Sequence, residues 1–370
     1  MSAIEVRFGR SFHPDEKTAV QELVDQFRSM EPDFLIFFCS AEYNLPVLGK
    51  TLKASFDCPA IGCTSAGEIL GSEGYTENAI VCVAVASEKL AMQPFLIGNL
   101  RTFLNDPHLT ETFSIPYRKF NFAFLLIDGL SMLEELVIGR IYRALKGIPL
   151  IGASAADGLA FEHTYVYYNG VFHENAAVLA LFETSLPFLP IHIQHFVPTE
   201  KRLVITAADL VTRTVMEING LPAVEEYARA VGVTVDKLAP RVFAAHPLML
   251  KIGGEYYVRS IQKMNADGSL TFYCAIGIGI VLTVAKPSGG LIPNLEESLA
   301  RIREIIPNPA LILGSDCVLR RLEMQRYDEL EEAKHVLSHY PIIGVSTYGE
   351  QFCGVHVNHT LTAMVIGNEA

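Results

Sequence analysis

Three short runs in this 370-residue chain repeat one arrangement of small, hydroxyl and carboxylate residues. IGCTSAGEI occupies Ile61–Ile69, IGASAADG occupies Ile151–Gly158, and IGVSTYGEQ occupies Ile343–Gln351. Each begins Ile-Gly-x-Ser/Thr, and each places a carboxylate three or four positions after that hydroxyl. Glycine allows tight backbone geometry, and successive backbone N–H groups in such a loop can form an anion-binding nest. Thr64, Ser65, Ser346, Thr347 and the phenol of Tyr348 can donate and accept hydrogen bonds, while Glu68 and Glu350 could take an amine or a hydroxyl. The same residues also suit a structural part, with hydroxyls capping turns and glutamates in salt bridges. A single copy favours the structural reading. Recurrence in three places makes a ligand pocket an equal contender.

Other chemistry is thinner. The G-x-S-x-G nucleophile elbow is absent, since GVSTYG has one residue too many. Cys63 and Cys317 could be nucleophiles, but their apolar flanks point to buried, inert thiols, so a thiol-dependent enzyme is the weakest reading. No C-x-x-C pair offers a structural zinc site. Among eleven histidines, HIQH (His192, His195) and HVNH (His356, His359) have i, i+3 spacing. Both stretches read as extended, which sends such a pair to opposite faces and argues against chelation within either one. His246 lies between apolar residues, directly before Pro247, which biases it toward an extended backbone. A neutral imidazole in an apolar wall suits a haem axial site. Phe243, Leu248, Leu250, Tyr256 and Tyr257 could then cover a porphyrin, and Arg259 could meet a propionate. His195, in QHFVP, is the second choice. A hydrogen-bonded core histidine is the bland alternative.

The elements that must position these loops repeat as well. FLIFFCS (34–40), FAFLLIDG (122–129) and ALILGSDC (310–317) read as buried strands reaching loops. LPVLGKTLKASF, MLEELVIGRIYRAL and LRRLEMQRYDELEEAKHVL follow as helices, the second with Leu133, Leu136, Val137, Ile141 and Leu145 on one face. Strand–helix–strand–loop thus occurs three times. Such crossovers make parallel neighbours, and ligands bind at the loops beyond the strand ends. The fold class is therefore α/β, layered strand–helix–strand repeats in two lobes.

Between the second and third repeats the pattern changes. TYVYYNGVFHENAAVLALF reads as two strands turning at Asn169-Gly170. SLPFLPIHIQHFVP, with three prolines, reads as a link between lobes. Further on come a turn at Asn219-Gly220, a helix starting near Pro222, and a meander turning at Asp267-Gly268. This antiparallel insert belongs to the second lobe. The divisions are an N-terminal extension (1–30), a first lobe (31–190), a linker (191–215) and a second lobe (216–370).

Composition bounds the function. Half the residues are hydrophobic and 19% are charged, as in a globular chain. A net charge of −12 without a basic stripe argues against nucleic acid and against an anionic membrane surface. The opening MSAIEVRFGRSFHPDEK lacks the apolar core of a signal peptide. The longest uncharged apolar run, Leu270 to Ala285, is shorter than a membrane span and reads as buried strand. Seven cysteines, an odd number, fit reduced thiols. The expectation is a cytoplasmic protein.

GCTSAGEI, LLIDGLSMLEE, IPLIGASAADG, QHFVPT, EINGLPAVEEYA, FAAHPLML, YVRSIQK, DCVLRRLE and GVSTYGEQFCGVHVNHT, in this order, resemble FIST-domain proteins. They are most similar to the stand-alone bacterial branch described as nitric-oxide-sensing haemoproteins, the NosP type. The resemblance spans about Phe34 to Gly367. It implies a FIST N lobe, a FIST C lobe and a sensory, non-enzymatic role. For the NosP type it implies haem b, nitric oxide as the signal, and a co-encoded histidine kinase or cyclic-di-GMP enzyme as partner, with effects on biofilm formation. A homodimer is the oligomer considered. FIST domains more broadly imply a haem-free sensor of a small metabolite such as an amino acid, which is the rival reading.

Overall fold

The computed structural model describes residues 4–106 and 120–369. Its first unit runs β1 (Glu5–Ser11), α1 (Glu16–Gln26), β2 (Phe34–Ser40), α2 (Leu45–Ser55) and β3 (Ala60–Ser65). A hairpin, β4 (Glu68–Leu70) and β5 (Gly74–Thr76), and then β6 (Ile80–Ala86) complete it. The second unit repeats this order: β7 (Leu90–Ile97), α3 (Leu100–Asn105), β8 (Phe122–Ile127), α4 (Glu134–Ala144) and β9 (Leu150–Ser154). Its hairpin is β10 (Val166–Tyr168) and β11 (Val171–His173), and its last strand is β12 (Ala177–Thr184).

The third unit opens with β13 (Phe188–Ile193) and is then interrupted by an insert. The insert comprises β14 (Phe196–Asp209), β15 (Thr214–Ile218), β16 (Leu221–Pro222), α5 (Ala223–Val231), α6 (Pro240–Ala245), β17 (Leu248–Ile252), β18 (Glu255–Arg259), β19 (Ile261–Met264), β20 (Leu270–Phe272) and β21 (Val281–Pro287). These strands form a nearly closed, antiparallel, barrel-like sheet around a core of their own. The unit resumes with α7 (Leu291–Ile305), β22 (Pro309–Cys317), α8 (Val318–Tyr327), α9 (Leu330–Leu337) and β23 (Ile342–Thr347). It ends with the hairpin β24 (Glu350–Phe352) and β25 (Val355–Val357), and with β26 (Leu361–Gly367).

Three sheets result, ordered β1-β6-β2-β3-β10-β11, β7-β12-β8-β9-β24-β25 and β13-β26-β22-β23-β4-β5. Each unit sends its hairpin to a neighbour's sheet: first to third, second to first, third to second. The ring closes on itself. Inner faces of all three sheets meet in one core, with Phe34, Ile36 and Phe38 from the first, Phe122, Phe124 and Leu126 from the second, and Leu311, Leu313 and Val345 from the third. Helices cover each outer face. Strands buried on both sides are why β2, β8 and β22 read as unbroken apolar runs rather than alternating ones.

The repeated Ile-Gly has a packing cause. A Cβ on Gly62 would lie 2.6 Å from the Phe37 carbonyl oxygen, one on Gly152 2.3 Å from that of Leu125, and one on Gly344 2.8 Å from that of Gly314. Each pair is the facing pair of its parallel ladder. Any side chain here would force the two central strands apart.

Some sequence expectations change. Residues expected to form an N-terminal extension carry β1, which pairs with β6, and α1; Met1–Ala3 and Ala370, at the ends of the proposed divisions, lie outside the described residues. The stretch read as a linker is largely strand, because β13 is a sheet edge where Pro190 needs no ladder donor. The apolar run from Leu270 is two strands separated by a loop; Gly279 turns at φ 83° and Ile278 is exposed. Leu136 faces solvent, and Ile138 takes the core position beside Val137 and Ile141. The long third helix breaks at Asp328, φ 59°, into α8 and α9. The hairpin turn at Asn169-Gly170 forms as read.

Two glycine substitutions separate packing from propensity. Gly152→Ala should cost at least ~2 kcal/mol, as expected for overpacking. Gly139→Ala, inside α4 with nothing within 4 Å of the added carbon, should gain up to about 1 kcal/mol. Urea unfolding of both variants measures this, and equal effects of one sign would contradict the close-approach explanation.

Candidate functional site

The three repeated loops follow β3, β9 and β23 and bond to one another around the ring. Ala66 N–H donates to the Ser346 carbonyl (2.9 Å) and Ser346 N–H to that of Gly67 (2.7 Å). Ala156 and Gly158 N–H donate to the carbonyls of Thr64 and Ser65 (3.0 Å each), and Ser154 N–H donates to that of Gly349 (2.9 Å). The equivalent residues Ala66, Ala156 and Tyr348 pack together at this centre, with Val318 at the start of α8.

A cleft of about 260 Å³ opens beside the first loop. It is bounded by Ser65–Glu68, by Asp157 and Gly158 of the second loop, by Glu42 and Glu77, and by Val318, Arg321 and Gln325 on α8. Arg321 donates to the Ala66 carbonyl and to Glu77. Gly67 makes room for it: the backbone sits at φ 131°, and a Cβ would meet the guanidinium. Glu68 is fully buried and accepts from the Ser65 hydroxyl at 2.5 Å through Oε1. Its Oε2 has no hydrogen-bond partner. Burial pushes this carboxyl up to about 8, against the Ser65 hydroxyl, the nearby N–H groups of Ala79 and of Glu68 itself, and the charge of Arg321.

The equivalent Glu350 is also fully buried, yet it is satisfied. Thr360 donates to Oε2 through its hydroxyl (2.6 Å) and its N–H (3.3 Å), and the Thr347 hydroxyl lies 3.2 Å from Oε1. Burial raises its pKa well above the ordinary value. Thr347 also accepts the Gly349 N–H at 2.8 Å, a closed turn. Tyr348 donates to Asp157 and stacks on Phe161 at 4.4 Å. Asp157 accepts in addition the N–H groups of Phe161, Glu162 and His163. Thr64 accepts from Tyr165 N–H. Of the seven residues proposed for the repeated loops, Ser65 and Glu68 line this cleft; Thr64, Ser346, Thr347, Tyr348 and Glu350 brace the loops from behind.

His246, Arg259 and Tyr257 lie on the barrel insert. His246 is half-buried and ends α6, its backbone leaving the helical region at φ −131° because Pro247 follows. The segment before it is thus helix, not extended, and Ala244 and Ala245 are exposed. Its carbonyl accepts from the Tyr227 hydroxyl. Arg259 donates to the Val258 carbonyl, and Tyr257 packs on the His192 ring at 5.3 Å. None of the three lines this cleft, its 570 Å³ neighbour between α2 and the second loop, or the 1120 Å³ cleft beside α4.

His195 pairs across the two histidine motifs. Its Nε2 lies 3.1 Å from one oxygen of Glu323 on α8, and His359 Nε2 lies 2.8 Å from the other. An ionised carboxylate only accepts, so both nitrogens donate. Burial opposes the charge on Glu323, but the two imidazoles outweigh it and hold the carboxylate well below its ordinary range. Cys63 and Cys317 are buried, and burial pushes both thiols up, so they stay protonated.

Arg321, Glu77 and Glu323 were not anticipated. A signal existed: Arg320 and Arg321 stand in the first turn of a helix, where the macrodipole disfavours cations. Each is held by a carboxylate, Arg320 by Asp316 at 2.6 Å and Arg321 by Glu77.

A ring of strand–helix–strand units with a small polar cleft at one junction defines a layered α/β protein. The chain matches the FIST N domain over residues 33–221 and the FIST C domain over residues 223–353, and it belongs to the FIST family, whose domains are signal-transduction sensors. An uncharacterized protein of Methanocaldococcus jannaschii is 23% identical over 311 residues, covering 76% of this chain and 59% of the relative. The chain therefore spans about three-fifths of that curated relative. No described helix is long and apolar enough to cross a membrane.

The raised Glu68 carboxyl has a pH signature. Between the ordinary value of 4.5 and about 8, the unfolded chain gives up a proton that the folded chain keeps. Stability from this group is complete below 4.5 and is lost as pH rises through 8. Glu68→Gln should flatten the decline between pH 5 and 8 by up to about 1.4 kcal/mol per pH unit. Urea unfolding at four pH values tests this; an unchanged slope would place the charge of Glu68 in water.

Proposed function

We propose that this chain is a sensor that takes a small polar molecule in the cleft bounded by Ser65–Glu68, Asp157–Gly158 and α8. The observation that carries the reading is the fully buried Glu68, with one carboxyl oxygen unpartnered on the wall of a 260 Å³ cleft. Leaving such an oxygen empty costs free energy that a ligand donor would recover. The same helix supports the signalling half. Arg321 lies on the cleft, while Glu323, two residues on, holds His195 just before β14 enters the barrel. A ligand that moves Arg321 moves the anchor of the insert. Its receiver is proposed to be a histidine kinase or a cyclic-di-GMP enzyme, which the sequence resemblance supports.

Thermal unfolding with a panel of small polar metabolites tests the site. At least one should raise the melting temperature of the wild type by several degrees and leave Glu68→Gln unmoved. A parallel hemin titration provides the opposing result. A Soret band that responds to nitric oxide and disappears in His246→Ala, with no metabolite effect, would replace this reading by a haem sensor.

A further inference from the structure

We infer that the cleft selects a protonated amine or guanidine that carries no carboxylate beside it. This rests on the cleft being the sensor's ligand site, and it names the chemical class of that ligand. Four carboxyl side chains line the cleft, Glu42, Glu68, Glu77 and Asp157, against one cation, Arg321. Both terminal nitrogens of Arg321 are engaged, Nη1 by the Ala66 carbonyl and Nη2 by Glu77. Recognition of a carboxylate by arginine uses a two-pronged fork, and here the fork is taken. Only Nε of that guanidinium lacks a partner. The other buried side-chain atom of the wall without a partner is Glu68 Oε2, an acceptor once the carboxyl is ionised. An ammonium satisfies it; a second carboxylate brought close would meet Glu42 and Glu77 instead. Among described residues the groups facing Glu68 are Ser65, the N–H groups of Ala79 and of Glu68 itself, Arg321, Cys39, Cys63 and Tyr43, and Arg321 is the one cation among them. Because burial pushes Glu68 up to about 8, the carboxyl is largely protonated at neutral pH and releases its proton as the cation arrives.

Isothermal titration of the full chain with matched pairs tests the inference: cadaverine against lysine, agmatine against arginine, tyramine against tyrosine. The amine of at least one pair should bind tenfold or more tightly than its amino acid, releasing about one proton at pH 7, as read from buffers of different ionisation enthalpy. Glu68→Gln should lose at least tenfold in amine affinity. Glu77→Ala, which frees Nη2, should narrow the gap by improving the amino acid. Glu42→Gln, at an exposed position, should weaken amines severalfold and serves if Glu68→Gln does not fold. Amino acids that bind as tightly as the amines and are lost in Glu68→Gln would keep the site and overturn the class. No heat with any amine would overturn the class as well. Binding unchanged in both Glu68→Gln and Glu42→Gln would remove the ligand from this cleft and overturn the site reading with it.

Discussion

Exchange of hairpins around the ring is the constraint on which the rest depends. β3, β9 and β23 would each be an unpaired edge in its own unit, with a row of free N–H and C=O groups. A neighbour's hairpin covers each one: β10 on β3, β24 on β9, β4 on β23. No unit can complete its sheet without another. The repeated loops lie between the strand that accepts a foreign hairpin and the hairpin the unit gives away. They are therefore drawn to the centre, where their backbone groups bond loop to loop. The site is a by-product of closing the ring.

Near-identical motifs then diverge through their surroundings. Ser65 with Glu68 and Thr347 with Glu350 place a hydroxyl beside a carboxylate at the same position in two units, but the Ser65 hydroxyl donates to Glu68 at 2.5 Å while that of Thr347 lies 2.6 Å from the Gly349 carbonyl and 3.2 Å from Glu350. Thr360, just before β26, closes on Glu350 and completes its hydrogen bonds. In the first unit Glu68 Oε2 has no such partner among the described residues. A buried acceptor with donors is structure; the same acceptor without them is the exception that calls for an explanation.

Much of the ring was legible in the sequence, and the reasons are local. Buried parallel strands read as apolar runs, and helices read through their period. The Ile-Gly start of each loop marks where two strands touch. The hairpin exchange was not legible, because no local residue states which sheet a two-strand turn will join. The same holds for Arg321, whose partners Ala66 and Glu77 are some 250 residues away in the chain. His246 looked like the most apolar histidine because its sequence flanks were apolar, yet Ala244 and Ala245 are exposed and the ring is only half-buried, although Phe243 and Leu248 lie in the core. Among the described residues the buried histidines are His195, His356 and His359, brought inside by strand pairing and packing.

Among the described residues the three junctions of the ring are filled differently. At the first, the loop of the first unit meets α8, and the cleft holds Glu68. At the second, the loop of the second unit meets the start of α2, where Asp157 is saturated by three N–H groups and Tyr348, leaving a wider, open hollow. At the third, β25 meets α4, and the barrel insert lies across the junction. Arg213 of the insert reaches Glu134 at 2.6 Å and Glu135 at 2.8 Å, and Glu135 accepts the Ala275 N–H at 2.7 Å. Removing one partner of such a buried pair would cost ~3–5 kcal/mol, so this seat is firm. The insert thus brings its own cation to the carboxylates of the third junction. At the first junction Arg321 answers Glu77, and Glu68 Oε2 has no hydrogen-bond partner among the described residues.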